Sequence, residues 1–175
     1  INHPVGSSLN KRVLKSLSKA DHVIANSRFT KELALKLGVK DVTVINPGCN
    51  YPIPVNEEAK EYAKNIYGEA SPKLITISRL DGRKSHHNVM MTVKNLLPKY
   101  PSLKYVSVGD GDEGNNLLKL RKTLGLEKNV EFIFKSTEQE KVALLEQSDI
   151  FVMPSVVYKK SVEGFGITYI EAASY

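Results

Sequence analysis

From residue 73 onward, short apolar runs alternate with stretches of helical periodicity, and this alternation constrains the fold more than any other feature of the sequence. Four apolar runs predict strands, at 73–78, 103–110, 129–134 and 149–155. Three amphipathic stretches predict helices between them, at 87–97, 113–126 and 136–147. Strands and helices that alternate with short connections form βαβ units, so the sequence predicts an α/β, Rossmann-like fold with an open parallel sheet and helices on both faces.

Local signals support two of these helices. Thr137 and Glu140 have the spacing of a capping box, which predicts a helix start at that point. The apolar residues of 87–97 fall on one helical face, and they are Val89, Met90, Val93, Leu96 and Leu97.

The first seventy-two residues have a different organisation. A basic helix is predicted over 9–19, a strand over 21–26 and a helix over 27–38, and a Pro-Gly turn follows at 47–48. We place a domain boundary near 45–50 and expect the chain to be part of a longer protein. The predicted parts are the tail of a preceding N-terminal domain (1–45), a linker with a charged, exposed helix at 56–68 (46–72), and a Rossmann-like domain that is incomplete at its C-terminus (73–175).

Composition and charge narrow the class of function. The 25 Lys and Arg exceed the 19 Asp and Glu, and this net charge of +6 favours anionic partners. Nucleic acid is weakly supported, because the aromatic residues (7%) do not interleave with a basic cluster. Cys49 is the only cysteine, which excludes an internal disulfide and fits a reducing cytoplasm. No His or Cys spacing resembles a metal site.

Candidate ligand-binding residues follow each predicted strand. Ligands of open parallel sheets bind at the carboxyl ends of the strands. Arg79 and Lys84 follow the first strand, and together they can neutralise a diphosphate. The other candidates at this edge are Gly109 after the second strand, Lys135 and Ser136 after the third, and the 155–166 loop after the fourth. For Gly109 the sequence leaves two readings open, a tight turn or a contact with ligand.

The closing stretch "VEGFGITYIEAASY" carries a more specific pattern. Gly164 and Gly166 allow a ligand to approach the backbone, and they precede a predicted helix start, which favours an anion. Glu163 would repel a phosphate and is instead suited to accept hydrogen bonds from hydroxyls. Glu171 lies eight positions further on, about 12 Å along a continuous helix, which is too far for an acid/base pair. The pattern therefore indicates a ligand with hydroxyls on both sides of a phosphate, and a nucleotide sugar has this form.

Four segments together resemble the family 4 glycosyltransferases of the GT-B fold, which are retaining enzymes that use nucleotide sugars. They are "SRLDGRKS", "VGDGDE", "VEFIF…LLEQSDIFVMPS" and "VEGFGITYIEAAS". The resemblance covers about residues 20–175, and it implies that the 73–175 region is the C-terminal, donor-binding half of such a fold.

The resemblance also implies residue roles. Arg79 and Lys84 match the pair that holds the diphosphate and stabilises its developing charge. Glu163 matches the residue that faces the hydroxyls of the donor sugar, and Glu171 matches the one that holds the ribose. The remaining matched residues, at the backbone cradle and the base pocket, are Gly164, Phe165, Gly166, Lys135 and Ser136.

The implied activity is transfer of a hexose from a UDP or GDP sugar to the hydroxyl of a glycan or lipid-linked acceptor. No metal or other cofactor is expected, and no nucleic acid partner. The implied location is the cytoplasm, with peripheral contact at the inner membrane face. We expect the isolated chain to bind nucleotide without transferring sugar.

Two alternatives remain, a nucleotide-sugar-binding module without catalysis and, with less support, a basic nucleic-acid-binding domain. Glu163 argues against the first. The chain also departs from the family pattern at two positions: Ser85 and Phe134 stand where glycine is usual. The second departure puts an aromatic ring next to the base pocket and leaves the choice of base open.

Overall fold

The computed structural model describes residues 8–159 and 161–175, and the chain divides into two compact units. Unit 1 comprises the residues up to Cys49 together with Val156–Ile167, and unit 2 comprises Asn50–Ser155 and Thr168–Tyr175. The division after Cys49 falls inside the predicted 45–50 window. The segment Val156–Ile167 differs from the prediction, because it groups with unit 1 and not with the rest of 73–175.

Unit 1 is a small α/β layer. Its elements are α1 (Ser8–Lys19), β1 (Val23–Ala25), α2 (Arg28–Lys36) and β2 (Val42–Val44). The two strands are parallel, with Val23 opposite Val42. Ser27 caps α2, because its side chain accepts a hydrogen bond from the Thr30 amide and the Thr30 hydroxyl accepts one from the Ser27 amide. The buried core of the unit consists of Ala25, Ala34, Val39 and Val42.

Unit 2 is built on a four-stranded parallel sheet in the order β5-β4-β3-β6. Its strands are β3 (Lys73–Ile77), β4 (Lys104–Val108), β5 (Val130–Ile133) and β6 (Ile150–Phe151). Its helices are α3 (Glu57–Tyr67), α4 (His86–Leu96), α5 (Gly114–Leu124) and α6 (Glu138–Glu146); α7 (Ile167–Ala172) begins at the last residue of unit 1. The predicted sequence of strands and helices is confirmed.

Both faces of the sheet are covered, as predicted. Successive side chains of a strand point to opposite faces, and the two faces pack against different helices. Ile75 and Val106 pack with α3 and α6, whereas Leu74 and Tyr105 pack with α4 and α5. Strands buried on both sides read as continuous apolar runs, which is why they are visible in the sequence.

The prediction that the 56–68 helix is exposed is wrong. Ala59, Ala63 and Tyr67 are at most 3% exposed and lie on one face of α3. The Tyr67 hydroxyl donates a hydrogen bond to the Leu144 carbonyl of α6 at 3.1 Å. Residues four apart share a helix face, so the charged residues of α3 face solvent while its small residues pack into the core.

The last strand is shorter than predicted, with two residues in place of 149–155. The Val152 amide still donates to the Ile75 carbonyl at 2.8 Å, but the next bond comes from a side chain, because the Thr76 hydroxyl donates to the Val152 carbonyl. Pro154 has no amide hydrogen with which to continue the ladder.

Candidate functional site

The predicted convergence of site residues at the carboxyl edge of the sheet is confirmed for unit 2. Arg79 follows β3, Gly109 follows β4, and Lys135 with Ser136 follows β5, and these strands are parallel neighbours. The Arg79 and Lys135 side chains are exposed and Ser136 is half-buried. This edge therefore presents two solvent-accessible cations, which follow β3 and β5 on either side of β4.

The loops after β3 and β4 are interlocked through Leu80, which is fully buried. Its amide donates to the Asp110 carbonyl at 3.0 Å, and its carbonyl accepts from the Glu113 amide at 3.0 Å. A Cβ on Gly111 would lie 2.5 Å from the Leu80 carbonyl oxygen. A Cβ on Gly109, which has φ 133°, would overlap the Ser78 carbonyl oxygen. The close approach of two loops accounts for both glycines without a ligand.

Lys84 is the buried cation of the site, with 8% of its surface exposed. It ends the 3₁₀ turn Gly82–Lys84, which Asp81 caps by accepting a hydrogen bond from the Lys84 amide at 3.1 Å. The Lys84 ammonium donates to the sulfur of Met153 at 3.3 Å. Lysine is rarely buried to this extent unless its ammonium is paired.

Met153 connects Lys84 to α7. The Thr168 hydroxyl lies 3.7 Å from the Met153 sulfur, and the Tyr169 hydroxyl donates to the Met153 carbonyl. The Tyr169 ring also packs edge-to-face against Phe151 at 5.5 Å between centroids. Glu171, half-buried, follows two residues later on the same helix. Lys84 and the helix that carries Glu171 thus share Met153 as a neighbour.

Ser85 adopts a left-handed backbone conformation, with φ 61° and ψ 33°, at the start of α4. This conformation costs an L-residue roughly 1–2 kcal/mol and glycine nothing, so it explains why glycine is usual at this position. Ser85 is fully buried and accepts a hydrogen bond from the Asn88 side-chain amide at 2.8 Å.

We expect Ser85→Gly to leave the free energy of unfolding unchanged or raise it by up to about 1 kcal/mol, since relief of strain outweighs the hydrogen bond from Asn88. Ser85→Val should lower it by about 2 kcal/mol or more, because a β-branched residue tolerates this conformation poorly. Urea denaturation of the parent chain and the two variants measures the order of their free energies of unfolding. A valine variant as stable as the parent would contradict the account.

His86 lies at the centre of a buried polar cluster that the sequence analysis did not predict. Its Nδ1 is 3.0 Å from the Tyr105 hydroxyl and 3.2 Å from that of Ser107, and its Nε2 is 3.1 Å from the hydroxyl of Ser78 and 3.3 Å from the Arg79 carbonyl. Burial lowers the pKa of His86, which keeps the ring neutral at pH 7. The cluster therefore fixes the backbone of Arg79.

A sequence signal for this cluster exists. Polar residues alternate with apolar ones at the carboxyl ends of both central strands, as Thr76 and Ser78 in the first and Tyr105 and Ser107 in the second. Alternate residues share a sheet face, so these hydroxyls all point towards α4. A histidine at the start of that helix is their natural partner.

The residues of the closing stretch up to Ile167 belong to unit 1. The Gly164 carbonyl accepts a hydrogen bond from the Ser27 hydroxyl at 2.6 Å. A Cβ on Gly164 would lie 3.2 Å from the Asn26 side chain, so this glycine allows packing onto the start of α2. Gly166 is buried with φ 78°, a conformation that favours glycine. Glu163 and Phe165 are half-buried.

The interval between Glu163 and Glu171 is not one continuous helix, because α7 begins after both glycines, as predicted. The helix α7 begins only at Ile167 and has six residues, so half of the interval is not helical. The estimate of about 12 Å along a helix axis therefore does not apply. Glu163 lies in unit 1 and Glu171 in unit 2.

Phe134 is an aromatic side chain at the carboxyl end of β5 with 36% of its surface exposed. Its ring stacks on Phe132 with centroids 6.3 Å apart and borders Gly114 at the start of α5. Phe132 is buried, so it supports one side of the Phe134 ring and leaves the rest open to a ligand at the strand ends.

A cavity of about 610 Å³ lies elsewhere in unit 2, between α3 and α6. Three carboxylates line it, from Glu58, Glu61 and Glu140, beside Tyr62. Burial and the nearby carboxylates raise the pKa of Tyr62. A diphosphate is repelled by such a lining, and none of the predicted site residues lies there.

Within residues 8–159 and 161–175, no cluster of three or more His, Cys, Asp or Glu side chains is arranged to hold a metal ion. Every helix in the described part of the chain is too short or too polar to span a bilayer.

Comparison with known proteins decides the family. The family model described as glycosyl transferases group 1 matches residues 57–175. The chain belongs to this family. It is the family that the sequence motifs resemble, and the match begins with α3 and includes unit 2 almost completely.

Relatives with known sequences agree with this assignment. An uncharacterized glycosyltransferase of Methanocaldococcus jannaschii is 31% identical over 119 residues, which are 68% of this chain and 27% of the relative. A D-inositol 3-phosphate glycosyltransferase of Corynebacterium urealyticum is 28% identical over 142 residues, 75% of this chain and 32% of the relative. The chain thus spans about a third of the length of these relatives.

Solved structures show the same fold. Anabaena HepE in complex with UDP and glucose superposes with a TM-score of 0.76 at 24% identity, over 95% of this chain and 46% of HepE. The pneumococcal O-GlcNAc transferase GtfA, in complex with UDP and GlcNAc, superposes with a TM-score of 0.72 at 18% identity, over 96% of this chain and 31% of GtfA. These likenesses confirm the predicted GT-B type of fold for the chain.

Proposed function

We propose that this chain carries the donor site of a retaining hexosyltransferase and that the carboxyl edge of the unit 2 sheet binds the nucleoside diphosphate. The observation that carries the proposal is the position of Lys84. This cation is buried against Met153, which α7 also contacts through Thr168, and Arg79 and Lys135 follow β3 and β5 at the same edge of the sheet. A buried cation beside exposed ones is suited to a ligand with several negative charges.

In the proposed mechanism, Arg79 and Lys84 stabilise the charge that develops on the leaving diphosphate. Preorganised cations can perform this task without a metal ion. The His86 cluster holds the Arg79 backbone in place, and Glu171 accepts hydrogen bonds from the ribose. The backbone around Lys135 and Ser136 contacts the base.

For Glu163 and its neighbours, which belong to unit 1, the proposed role follows from their match to the family motif. Glu163 accepts hydrogen bonds from the hexose hydroxyls and positions the ring, and the backbone of 164–166, which includes Phe165, borders the ligand. As the diphosphate departs, an oxocarbenium-like centre forms, and the acceptor hydroxyl attacks from the same face. Glu163 is a positioning group in this scheme, not a covalent nucleophile.

The acceptor in this proposal is a glycan or a lipid-linked glycan, and the reaction takes place in the cytoplasm. One relative supports a glycan acceptor by its name, the Escherichia coli O-antigen biosynthesis glycosyltransferase, which is 38% identical over 76 residues. The chain spans only part of such proteins, so we expect it to bind nucleotide and not to transfer sugar.

Calorimetric titration of the chain with UDP, GDP, ADP, UDP-glucose and GDP-mannose tests the proposal. We expect one nucleoside diphosphate and its sugar to bind with a stoichiometry of one. Binding of an oligonucleotide with steep salt dependence and of no nucleoside diphosphate would indicate the nucleic-acid alternative. In the longer parent protein, Glu163→Ala should abolish transfer; an unchanged biological function would indicate a binding module.

Phe134 offers a direct readout of base binding. The chain contains no Trp, so Phe134→Trp introduces a single indole at the proposed base pocket. A base that stacks on this ring should quench its emission, since aromatic–base stacking contributes about 1–3 kcal/mol per base. We expect quenching by UDP and none by inorganic pyrophosphate. Equal responses to the two ligands would exclude stacking at this position.

A further inference from the structure

A chain of buried hydroxyls crosses the sheet of unit 2 and ends at His86. The Thr76 hydroxyl donates its single proton to the Val152 carbonyl, which can only accept. The Tyr105 hydroxyl in turn donates its proton to the Thr76 oxygen at 2.9 Å. The Tyr105 oxygen, 3.0 Å from His86 Nδ1, can therefore only accept a hydrogen bond from the ring.

The second ring nitrogen of His86 also faces an oxygen that can only accept. Nε2 lies 3.3 Å from the Arg79 carbonyl oxygen. The hydroxyls beside the ring, from Ser107 and Ser78, can rotate and either donate or accept. A neutral imidazole has one N–H, so in either tautomer a bare nitrogen faces the Tyr105 or the Arg79 oxygen. An imidazolium donates to both, and the cluster therefore accommodates the charged ring more completely than the neutral one.

The charges around His86 act on it in opposite directions. Burial lowers the pKa of His86, and the positive charges of Lys84 and of protonated His87 lower it further. The hydrogen bond to the Arg79 carbonyl and the Asp81 carboxylate raise this pKa. A ligand that neutralises the charge of Lys84 removes one of the causes that keep the ring neutral.

A small cavity gives protons access to the buried ring. It has a volume of about 110 Å³, and its lining includes Asp81, His87 and Glu113 together with His86. His87 is exposed, and a polar cavity of this size has room for water. Tyr105, on the β4 side of the ring, stays protonated, because burial raises its pKa to about 12. His86 is thus the member of the cluster whose charge can change near neutral pH.

We propose that His86 takes up a proton from solvent when a diphosphate binds at the carboxyl edge, which couples nucleotide affinity to pH. The inference rests on the proposed function, in which the diphosphate binds Arg79 and Lys84. The His86 ring contacts the carbonyl of the first and follows the second by two positions. The negative charge of the ligand offsets the repulsion from Lys84 and favours the imidazolium, which then donates to both the Tyr105 and the Arg79 oxygen.

His86 acts as a positioning residue in this scheme. Its charged ring holds the Arg79 backbone more firmly than the neutral ring, because charge-assisted hydrogen bonds are the stronger ones. The same charge offsets part of the negative charge that the diphosphate gains when the sugar departs. A histidine with only a structural role would stay neutral when the ligand binds, and this difference is measurable.

Calorimetry of the 175-residue chain in buffers of different ionisation enthalpy counts the protons taken up with UDP-glucose or GDP-mannose. The diphosphate of a nucleotide sugar is a diester and has no proton of its own to exchange near neutral pH. We expect an uptake of about 0.3–1 proton per bound nucleotide sugar near pH 6.5, the usual pKa of histidine. Binding raises the pKa of His86, so affinity should increase as the pH falls through the range between the free and bound values.

Substitutions assign the proton to the cluster. His86→Gln has no titratable ring and should reduce the uptake to below about 0.1 proton, and Tyr105→Phe, which removes one of the two acceptors, should at least about halve it. The matched control is His87→Gln, which removes the exposed neighbour on the same helix and should leave the uptake unchanged. Ring ¹⁵N resonances of the parent chain give the same answer without a substitution, since saturation with the nucleotide sugar should raise the pKa of His86 more than that of His87.

The outcomes separate this inference from the proposed function. A nucleotide sugar that binds without proton uptake, or an uptake that His87→Gln reduces as much as His86→Gln, would overturn the role of His86 and leave the nucleotide site intact. If neither nucleotide sugar binds, the proposed function is contradicted, and the coupling to His86 with it.

Discussion

Replacing Lys84 by methionine should weaken UDP binding by about 100-fold and leave a cooperative unfolding transition. Methionine keeps most of the side-chain volume and removes the charge together with the hydrogen-bond donors of the ammonium. A charge-assisted hydrogen bond to a ligand contributes about 1.5–3 kcal/mol, and loss of the upper value corresponds to about two orders of magnitude in the dissociation constant. Lys84 is 8% exposed, so water cannot take over its role. Calorimetric titration measures the effect.

The matched control is Lys94→Met, which removes an exposed lysine from α4, the helix that follows the turn of Lys84. Its effect on UDP affinity should stay within about twofold, because an exposed charge is screened by solvent. Equal losses for the two variants would mean that general charge, and not the placement of Lys84, determines affinity. Unchanged binding by Lys84→Met would remove this residue from the site.

Gly109→Ala should lower the free energy of unfolding by about 4 kcal/mol or more. The new Cβ would lie 3.0 Å from the Ser78 carbonyl carbon and closer to its oxygen, at a φ of 133° that side chains rarely adopt. The loops after β3 and β4 would have to separate, although Leu80 holds them together by two backbone hydrogen bonds. Losses of this size are confined to substitutions that break packing or force a forbidden conformation.

Gly125→Ala is the control for Gly109→Ala. Gly125 also has a positive φ, 66°, but nothing lies within 4 Å of its added Cβ. This substitution should cost only the conformational term of about 1–2 kcal/mol. Urea denaturation with unchanged m-values measures both variants. If they cost the same, contact between the loops does not explain Gly109.

The architecture of unit 2 follows from local sequence signals. Strands buried on both faces are apolar throughout, and Thr137 with Glu140 marks the start of α6 by a capping box that is present in the structure. The burial of α3 is less visible, because the positions that face the core include Ala59 and Ala63. Alanine gives a weak hydropathy signal, so the charged residues of the same helix dominate its pattern.

The candidate site was predictable in part. Strand order brings Arg79, Gly109 and Lys135 to one edge, and any parallel sheet does this for residues that follow its strands. The His86 cluster and the contact of Gly109 with Ser78 depend on tertiary contacts between separate loops, which no local pattern encodes. The grouping of Val156–Ile167 with unit 1 has the same origin, since Gly164 packs on Asn26 far away in the sequence.

The most direct test of the central claim is a titration of the isotope-labelled chain with UDP, followed through its backbone amide resonances. We predict that the largest shifts occur at the carboxyl edge of the sheet, around Arg79, Gly109 and Lys135, and on α7 around Glu171. The cavity between α3 and α6, lined by Glu58 and other acidic residues, should be unaffected. Shifts concentrated in that cavity, or none at any UDP concentration, would contradict a nucleotide site at the carboxyl edge.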